Sequence, residues 1–416
     1  MIKTEGKVYP FEAHKKMQSL LDANYRDVEQ AKAAGKKIAW VTGQAPTDIL
    51  VAADILPAYP ENHAALCGAN RVGTQLCQVA EAHNYLPDLC SYARNNLGSC
   101  LLEGKTFPVA PLPAPDILMA VTTCNTHVKW FEALSRYYNV PLLLLETPFV
   151  HDSLGKEDVS SALKYGENQL KEMIVFLEEF CGRSYDYDKL QESVANSSKA
   201  SSLYAEFLDM ARHIPSPITS FDAFIHVAPM MNLRGFPEAV SYYELLLTEV
   251  RQRLEQSFSA VGGELYRLYW DNIPVWYRLG WLARKFAYYG ACTVAAFYSW
   301  LWVEAFARLD SEHPVESIAE SLVLFYDNKG TKSRIDLPVR LVKDFSVDGL
   351  IIQVNVTCRH LLADQLVVAR EVQRLTGVPA VVIEGDMVDE RFFSEPQVDR
   401  QIEDFISILA TRKERR

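Results

Sequence analysis

Three cysteines stand where a predicted helix begins, a position in which a thiol is well placed for chemistry. Cys124 and Cys358 each follow a threonine and an apolar run, and Cys90 comes just after Pro87-Asp88, a common helix start. A helix N-terminus offers free N–H groups and the positive end of the helix dipole, which lower the pKa of a thiol and favour the thiolate. The alternative for each is a small core residue, because free Cys is often buried.

Three thiolates from distant segments suit a zinc ion or an iron–sulfur cluster. Zinc needs a fourth ligand, and His127 and His360 are candidates because each lies close in sequence to one of these cysteines. A four-iron cluster bound by three Cys instead leaves one iron open. The spacing of the residues leaves both kinds of site open.

Two of these cysteines lie in two copies of one pattern, Pro115–Thr147 and Val347–Asp386. Each copy has an Asp, an apolar run, Thr-Cys, an amphipathic segment, Val-Pro and a second apolar run. The pattern predicts a strand–helix–strand unit of a parallel sheet, with the Cys at the edge where ligands bind. From Cys to Pro the first copy has seventeen residues and the second twenty-one, which predicts one extra helical turn.

The repeat predicts an α/β protein with two Rossmann- or flavodoxin-like domains, related by internal duplication and each with a short, mostly parallel sheet. Between them, charged amphipathic segments without strand-like runs predict a helical domain. The predicted division is a helical arm (1–36), a first α/β domain (37–159), a helical domain (160–262) and a second α/β domain (263–416).

Composition narrows the class of protein. The chain has 416 residues, of which 49% are hydrophobic and 23% charged, as in ordinary globular proteins. A net charge of −11 argues against a nucleic-acid or anionic-membrane partner. Eight cysteines without a CxxC, and an N-terminus without an apolar run, favour a reducing cytoplasm. No Walker A loop or GxGxxG motif supports nucleotide binding.

One uncharged stretch, Phe286–Val303, has 18 residues, the lower limit for a membrane-spanning helix. Its Tyr, Gly, Ser and Thr content favours a buried helix instead. On such a helix Tyr289, Cys292 and Trp300 share one face, which is more often core than a cofactor pocket. The sharper hypothesis is that Cys292 binds iron and that the two aromatic rings shield the cluster from water.

Four runs resemble the 2-hydroxyacyl-CoA dehydratase / benzoyl-CoA reductase family: YPENH, LCSYARNNLG, TTCNTHVKWFEAL and IEGDMVDERFFSEPQVDRQIEDF. The resemblance implies one [4Fe–4S] cluster held by three Cys, matching Cys90, Cys124 and Cys358, and single electrons from a separate ATPase with its own cluster. Dehydratase subunits more often carry Thr-Thr-Cys-Asp-Gly-Lys, whereas this chain has Asn125-Thr126-His127 after the cysteine.

Cys67, Cys100 and Cys292 also fall in the predicted α/β domains and bring the count of candidate ligands to six. On that count the chain resembles the double-cubane cluster proteins, which join two [4Fe–4S] units through a bridging sulfide. That branch is homodimeric and reduces small unsaturated molecules. The resemblance therefore implies the catalytic component of an anaerobic, ATP-dependent reductase that accepts low-potential electrons from an ATP-hydrolysing iron–sulfur activator.

Three alternatives stay open within this resemblance. The first is a benzoyl-CoA reductase-type subunit that reduces an aromatic acyl-CoA at a single [4Fe–4S] cluster. The second is a subunit of a (R)-2-hydroxyacyl-CoA dehydratase that forms a heterodimer with a related subunit and uses a ketyl radical. The third is a non-catalytic electron-relay subunit. His127, His360 and Glu61 are candidate proton donors by position, and the alternative for each is a hydrogen-bonded structural residue.

Overall fold

Two four-stranded sheets organise the chain in a computed structural model that describes residues 3–102 and 109–415. The strands are β1 (Ile38–Val41), β2 (Leu56–Ala58), β3 (Ile117–Val121), β4 (Leu142–Leu145), β5 (Tyr266–Asp271), β6 (Ala291–Ala296), β7 (Gly349–Asn355) and β8 (Ala380–Gly385). All pairings between them are parallel. The predicted α/β class with two parallel sheets is confirmed.

The two sheets have the same strand order, β2-β1-β3-β4 and β6-β5-β7-β8. In each, the second strand lies on one side of the first and the third strand lies on the other. The strand order therefore reverses between the first and third strands, and ligands bind at the carboxyl ends of strands beside such a point. Cys124 follows β3 and Cys358 follows β7, so the two repeats place their cysteines at equivalent points of separate sheets.

Helices cover the sheets and fill the segment between them. In chain order they are α1 (Ala13–Ala33), α2 (Thr47–Ala52), α3 (Pro60–Ala69), α4 (Gly73–Ala82), α5 (Ser91–Leu101), α6 (Asn125–Tyr138), α7 (Lys156–Cys181), α8 (Tyr187–Asp209), α9 (Ser220–His226), α10 (Ala228–Asn232), α11 (Pro237–Glu255), α12 (Leu279–Tyr288), α13 (Phe297–Phe306), α14 (Pro314–Val323), α15 (Thr331–Asp344), α16 (Arg359–Leu362), α17 (Gln365–Thr376) and α18 (Glu395–Glu414). The predicted domain boundaries stay a prediction, because one core cluster draws side chains from both sheets and the helices between them.

The aspartate that opens each repeat fixes the start of the central strands. Asp116 accepts the N–H of Ile38 and donates its own N–H to the Ile38 carbonyl. Asp348 makes the same pair of bonds with Arg267 at the start of the second sheet. Every residue of β3 is buried, as its apolar run predicts, because helices cover both faces of a parallel sheet.

The uncharged stretch Phe286–Val303 is not one helix, and that prediction is wrong. α12 ends at Tyr288, Gly290 turns the chain with a φ of +65°, and β6 and α13 follow. A Cβ at Gly290 would lie 2.8 Å from the carbonyl oxygen of Gly263, so a side chain there would clash. Short apolar runs do not distinguish a buried strand from a buried helix, and here the edge of β5 selects the strand. Within the described ranges, no helix is long and apolar enough to cross a membrane.

The extra four residues of the second repeat do not simply lengthen its helix. The chain forms α16, leaves helical geometry at Asp364, whose φ is −131°, and resumes as α17. Asp364 makes no capping bond to α17, because its carboxylate accepts hydrogen bonds from Thr331 and Arg334 of α15. Tertiary contacts have therefore overridden the local helical pattern.

Gly98 is where α5 approaches the preceding helix most closely, and it provides a test of that packing. A Cβ there would lie 1.9 Å from the backbone oxygen of Leu76. We expect Gly98→Ala to lower the free energy of unfolding by about 3 kcal/mol or more, since the overpacked atom meets backbone. Gly262→Ala is the control, because no atom lies within 4 Å of its added Cβ. Equal urea midpoints for the two variants would contradict this packing.

Candidate active site

Three thiols from both sheets meet at the carboxyl ends of the strands. Cys90, Cys124 and Cys358 are the residues immediately before α5, α6 and α16, and all three are half-buried. Charge on Cys124 raises the pKa of Cys90, and charge on either raises the pKa of Cys358. The N–H of Ser91 also donates to the hydroxyl of Thr357 at 3.0 Å, so the residue after Cys90 contacts the residue before Cys358.

The helix starts do not lower the pKa of Cys90 or Cys358 overall, contrary to expectation. Burial raises the pKa of Cys90 to about 12, although the N–H groups of Ala93 and Tyr92 act in the opposite direction. Burial also raises the pKa of Cys358, and repulsion from the other two thiols adds to it. Loss of water therefore outweighs the helix ends, and a positively charged metal group is what would offset it.

A single metal ion fits this arrangement poorly. In residues 3–102 and 109–415, no three His, Cys, Asp or Glu side chains converge closely enough to hold one ion. The structure therefore does not support the zinc site that the sequence left open, in which His127 or His360 would be the fourth ligand. In an iron–sulfur cubane each thiolate binds its own iron, so the sulfurs need not share one point. Three neighbouring thiols that form no disulfide fit that donor set.

The half-buried Glu61 and the buried His127 form an acid pair beside Cys124. Glu61 lies in the first turn of α3, which Pro60 begins, and its Oε2 accepts the N–H of Gly43 at 2.5 Å. Its Oε1 lies 3.1 Å from His127 Nε2. Burial lowers the pKa of His127, but the charges of Glu61 and Cys124 outweigh burial and raise it to about 9. The other ring nitrogen of His127, Nδ1, is buried and has no hydrogen-bond partner in the described structure.

His360 approaches the same region from the second sheet. Its Nε2 lies 4.0 Å from Asp327 Oδ2, and burial lowers the pKa of His360 while Asp327 acts in the opposite direction. Charge on His127 also lowers the pKa of His360, so the two rings sense each other. The structure thus gathers all three predicted proton donors near the thiols. Their catalytic roles stay a prediction.

Aromatic side chains line the site next to Glu61. Tyr92, in the first turn of α5, accepts a hydrogen bond from Trp276 Nε1. Its pKa lies well above the usual range because of burial, and Tyr298, Glu61 and Cys90 add to the effect. The ring of Tyr298 packs 6.0 Å from that of Trp276 and 6.1 Å from that of Trp302. These rings form an aromatic wall on one side of the acid pair.

The stretch from Phe286 to Val303 does supply an aromatic wall, but not through the predicted side chains. Tyr289 belongs to the core of the second sheet, and Trp300 packs against Phe345 at 5.9 Å. Tyr298 and Trp302 face the site instead, because α13 begins directly after β6. The signal that could have found Tyr298 is its position two residues after a buried strand.

Cys100 and Cys67 lie apart from the three thiols. Cys100 is ten residues beyond Cys90, which is about 15 Å along α5. Its Sγ accepts a hydrogen bond at 3.3 Å from Tyr138, the last residue of α6, whereas Cys124 precedes the first. Cys67 is fully buried in α3 with its Sγ 3.8 Å from His63 Nδ1, and burial alone raises its pKa to about 12.

Cys292 lies near the amino ends of the strands of the second sheet, whereas Cys358 lies beyond their carboxyl ends. It pairs with Arg267 near the start of β5, and its Sγ donates to the Ile218 carbonyl at 3.6 Å. Cys358 follows the carboxyl end of β7, a strand of seven residues, so about 20 Å separates it from the amino ends of the strands, where Cys292 lies. The structure therefore does not bring Cys292 to the other thiols.

The remaining cysteines occupy packing positions. Cys181 is half-buried at the end of α7, with its Sγ 3.8 Å from the Ala53 carbonyl. The sequence around Cys77 matches no motif and predicts no role for it. In the fold it is fully buried in α4, and its thiol donates at 3.6 Å to the carbonyl of Ser91, the residue after Cys90.

Two parallel sheets, with three thiols and an acid pair at their carboxyl ends, define an α/β protein whose donor set suits an iron–sulfur cluster. Comparison with known proteins gives the family. Residues 42–409 match the family model described as 2-hydroxyglutaryl-CoA dehydratase, D-component. The chain belongs to this family, which includes benzoyl-CoA reductase and 2-hydroxyacyl-CoA dehydratase subunits.

Relatives from both enzyme classes are similar over almost their whole length. The chain is 29% identical to the (R)-2-hydroxyisocaproyl-CoA dehydratase alpha subunit of Clostridioides difficile, over 97% of each chain. It is 29% identical to a benzoyl-CoA reductase subunit of Thauera aromatica, over 99% of this chain and 98% of that one. The alpha subunit of lactoyl-CoA dehydratase from Anaerotignum propionicum is 28% identical over 92% and 93%. Identity alone does not separate reductase from dehydratase.

Proposed function

We propose that this chain is the catalytic subunit of an ATP-dependent acyl-CoA reductase of the benzoyl-CoA reductase type, with one [4Fe–4S] cluster held by Cys90, Cys124 and Cys358. The observation that carries the proposal is the position of these three cysteines immediately before α5, α6 and α16, with the Cys90 and Cys358 segments joined by the hydrogen bond from the Ser91 N–H to the Thr357 hydroxyl. A cluster held by these three residues would have one iron free of protein thiolate and would supply low-potential single electrons.

The chain's own residues would supply the proton that reduction requires. Glu61 holds His127 through one ring nitrogen, and the unpartnered Nδ1 is free to present a proton to a bound substrate. Tyr92, Tyr298 and Trp302 keep water from the pair, which preserves a proton for the substrate rather than for solvent. His360 and Asp327 are a second, more weakly paired candidate on the opposite side.

A dehydratase subunit is the second candidate. The relatives named as alpha subunits of dehydratases, which match nearly the whole chain, favour it. The sequence after Cys124, where His127 stands three residues on, departs from the usual dehydratase motif and favours the reductase. In both cases we expect a related partner subunit, since the relatives are named as subunits, and an ATP-hydrolysing electron donor.

The double-cubane reductase, a homodimer acting on small unsaturated molecules, stays a prediction. It needs six thiolate ligands, and the positions of Cys67, Cys100 and Cys292 give no second group of three beside the first. An electron-relay subunit without substrate fits less well, because the acid pair and its aromatic wall then have no purpose at the thiols.

Iron content tests the cluster. Anaerobically purified protein should contain about four iron atoms per chain, and alanine at Cys90, Cys124 or Cys358 should remove most of them. Cys181→Ala and Cys292→Ala should keep the iron and the reduced EPR spectrum. About eight iron atoms per chain, with a loss of iron in Cys292→Ala, would favour the double cubane instead.

ATP use separates the two acyl-CoA reactions. With the electron donor present, a reductase consumes ATP in every turnover, because each electron pair leaves in the product. A dehydratase that recycles its electron needs ATP only to start. We expect phosphate release in fixed proportion to reduced acyl-CoA. Continued turnover after ATP has been removed would identify the dehydratase.

The acid pair should matter for turnover and not for iron. Glu61→Gln and His127→Asn should lower kcat about 100-fold or more while iron content is unchanged, because a positioned general acid contributes on that scale. His313→Asn is the matched control, since His313 forms an exposed pair with Asp310 at 3.2 Å. Wild-type kcat in both site variants would exclude the pair as the proton source.

A further inference from the structure

The loop after β8 enters the core of the first sheet, although it belongs to the second. The clamp loop, Asp386–Asp389, is buried throughout. Its Met387 and Val388 belong to the hydrophobic cluster around Trp40. A Cβ added to Gly73 in α4 would lie 2.5 Å from the Val388 carbonyl oxygen, so the contact is close. This run stood out in the sequence, yet nothing in the proposed reaction uses it.

One end of the clamp loop binds the residues next to two of the thiols. Asp386 Oδ2 accepts the hydroxyl of Thr357 at 2.5 Å, and Asp386 Oδ1 accepts the N–H groups of Val388 and Asp389. The same Thr357 oxygen accepts the N–H of Ser91 at 3.0 Å. Thr357 precedes Cys358 and Ser91 follows Cys90. A single hydroxyl therefore joins the two cysteine segments.

The other end of the clamp loop holds the opposite flank of Cys90. Asp389 Oδ2 accepts from Arg94 Nη1 at 3.0 Å, and both side chains are fully buried. Arg94 Nη1 also donates to Glu81 at 2.6 Å, and its Nε donates to the Leu89 carbonyl at 2.9 Å. Leu89 immediately precedes Cys90. The backbone on both sides of Cys90 is therefore held by hydrogen bonds, at Leu89 by Arg94 and at Ser91 by Thr357.

We propose that Thr357 and Arg94, anchored by the clamp loop, are positioning residues that set the separation of Cys90 and Cys358. The inference rests on the proposed function, in which these cysteines share a cluster. Cys90 and Cys358 lie in segments about 270 residues apart in sequence, so their spacing depends on contacts between those segments. The buried hydrogen bonds of Thr357 and Arg94 provide such contacts. Such outer contacts commonly control metal affinity.

Thr357→Val tests the proposal, because it removes the hydroxyl at nearly constant volume. The holoprotein is purified anaerobically and iron release to a ferrous chelator is followed. We expect release about 10- to 100-fold faster than in wild type, the range usual for loss of an outer contact. Thr357→Ser, which keeps the hydroxyl, should restore slow release. The thermal midpoint of each iron-free protein is measured in parallel.

Thr293→Val is the matched control, since Thr293 is a fully buried threonine of β6 whose hydroxyl has no partner in the described structure. It should release iron at the wild-type rate. The proposal is overturned if Thr357→Val holds iron as wild type does. It is also overturned if Thr357→Val and Thr293→Val release iron equally fast, with equal falls in thermal midpoint, because the role is then general packing.

Arg94→Lys provides a second variant should Thr357→Val fail to fold. Lysine keeps the charge beside Asp389 but lacks the fork that also reaches the Leu89 carbonyl. Iron release should again accelerate about 10-fold or more, and a wild-type rate would overturn the proposal. Failure of the proposed function looks different: wild-type protein would then hold no iron, or Cys358→Ala would keep all of it.

Discussion

The structure depends on bringing three half-buried cysteines from distant segments of the chain together at the carboxyl ends of two sheets. Each half of the chain contributes one cysteine from its repeat, and Cys90 adds a third from the start of α5. Parallel sheets make this feasible, because their carboxyl edges present loops and helix ends in one direction. Most of what surrounds the thiols serves this constraint. Aromatic rings exclude water, and buried carboxylates and Arg94 fix the backbone on either side of Cys90.

Much of the fold follows from short-range signals in the sequence. The repeated Asp, apolar run and Thr-Cys are enough to predict two equivalent strand–helix–strand units, because their periodicity is local. The stretch from Phe286 to Val303 fails for the same reason. Its apolar run suits a strand as well as a helix, and the choice depends on the distant edge of β5. The break between α16 and α17 likewise depends on Arg334 and Thr331, thirty residues upstream.

The residues of the candidate site also fall into those that local sequence predicts and those that only tertiary contacts reveal. Local sequence signals, namely a helix start, a polar loop or a repeat, identify Cys90, Cys124, Cys358, Glu61 and His127. Tyr298, Asp386 and Arg94 carry none, because their importance comes from what tertiary contacts place beside them. The electrostatics were also beyond local reasoning. A helix N-terminus is visible in sequence, whereas the desolvation that overrides it is a property of the finished core.

The identical strand order of the two sheets has a consequence for symmetry. Two identical halves related by a two-fold axis present every feature twice, so they can offer thiols only in even numbers. A centre of three needs a cysteine that one half has and the other lacks. Cys90 before α5 is that residue, because the third helix between the second and third strands of the other half, α15, begins after Gly330. An odd number of thiol ligands therefore requires two halves that share a strand order but differ in sequence. The resulting centre is asymmetric, although the two sheets that hold it are equivalent.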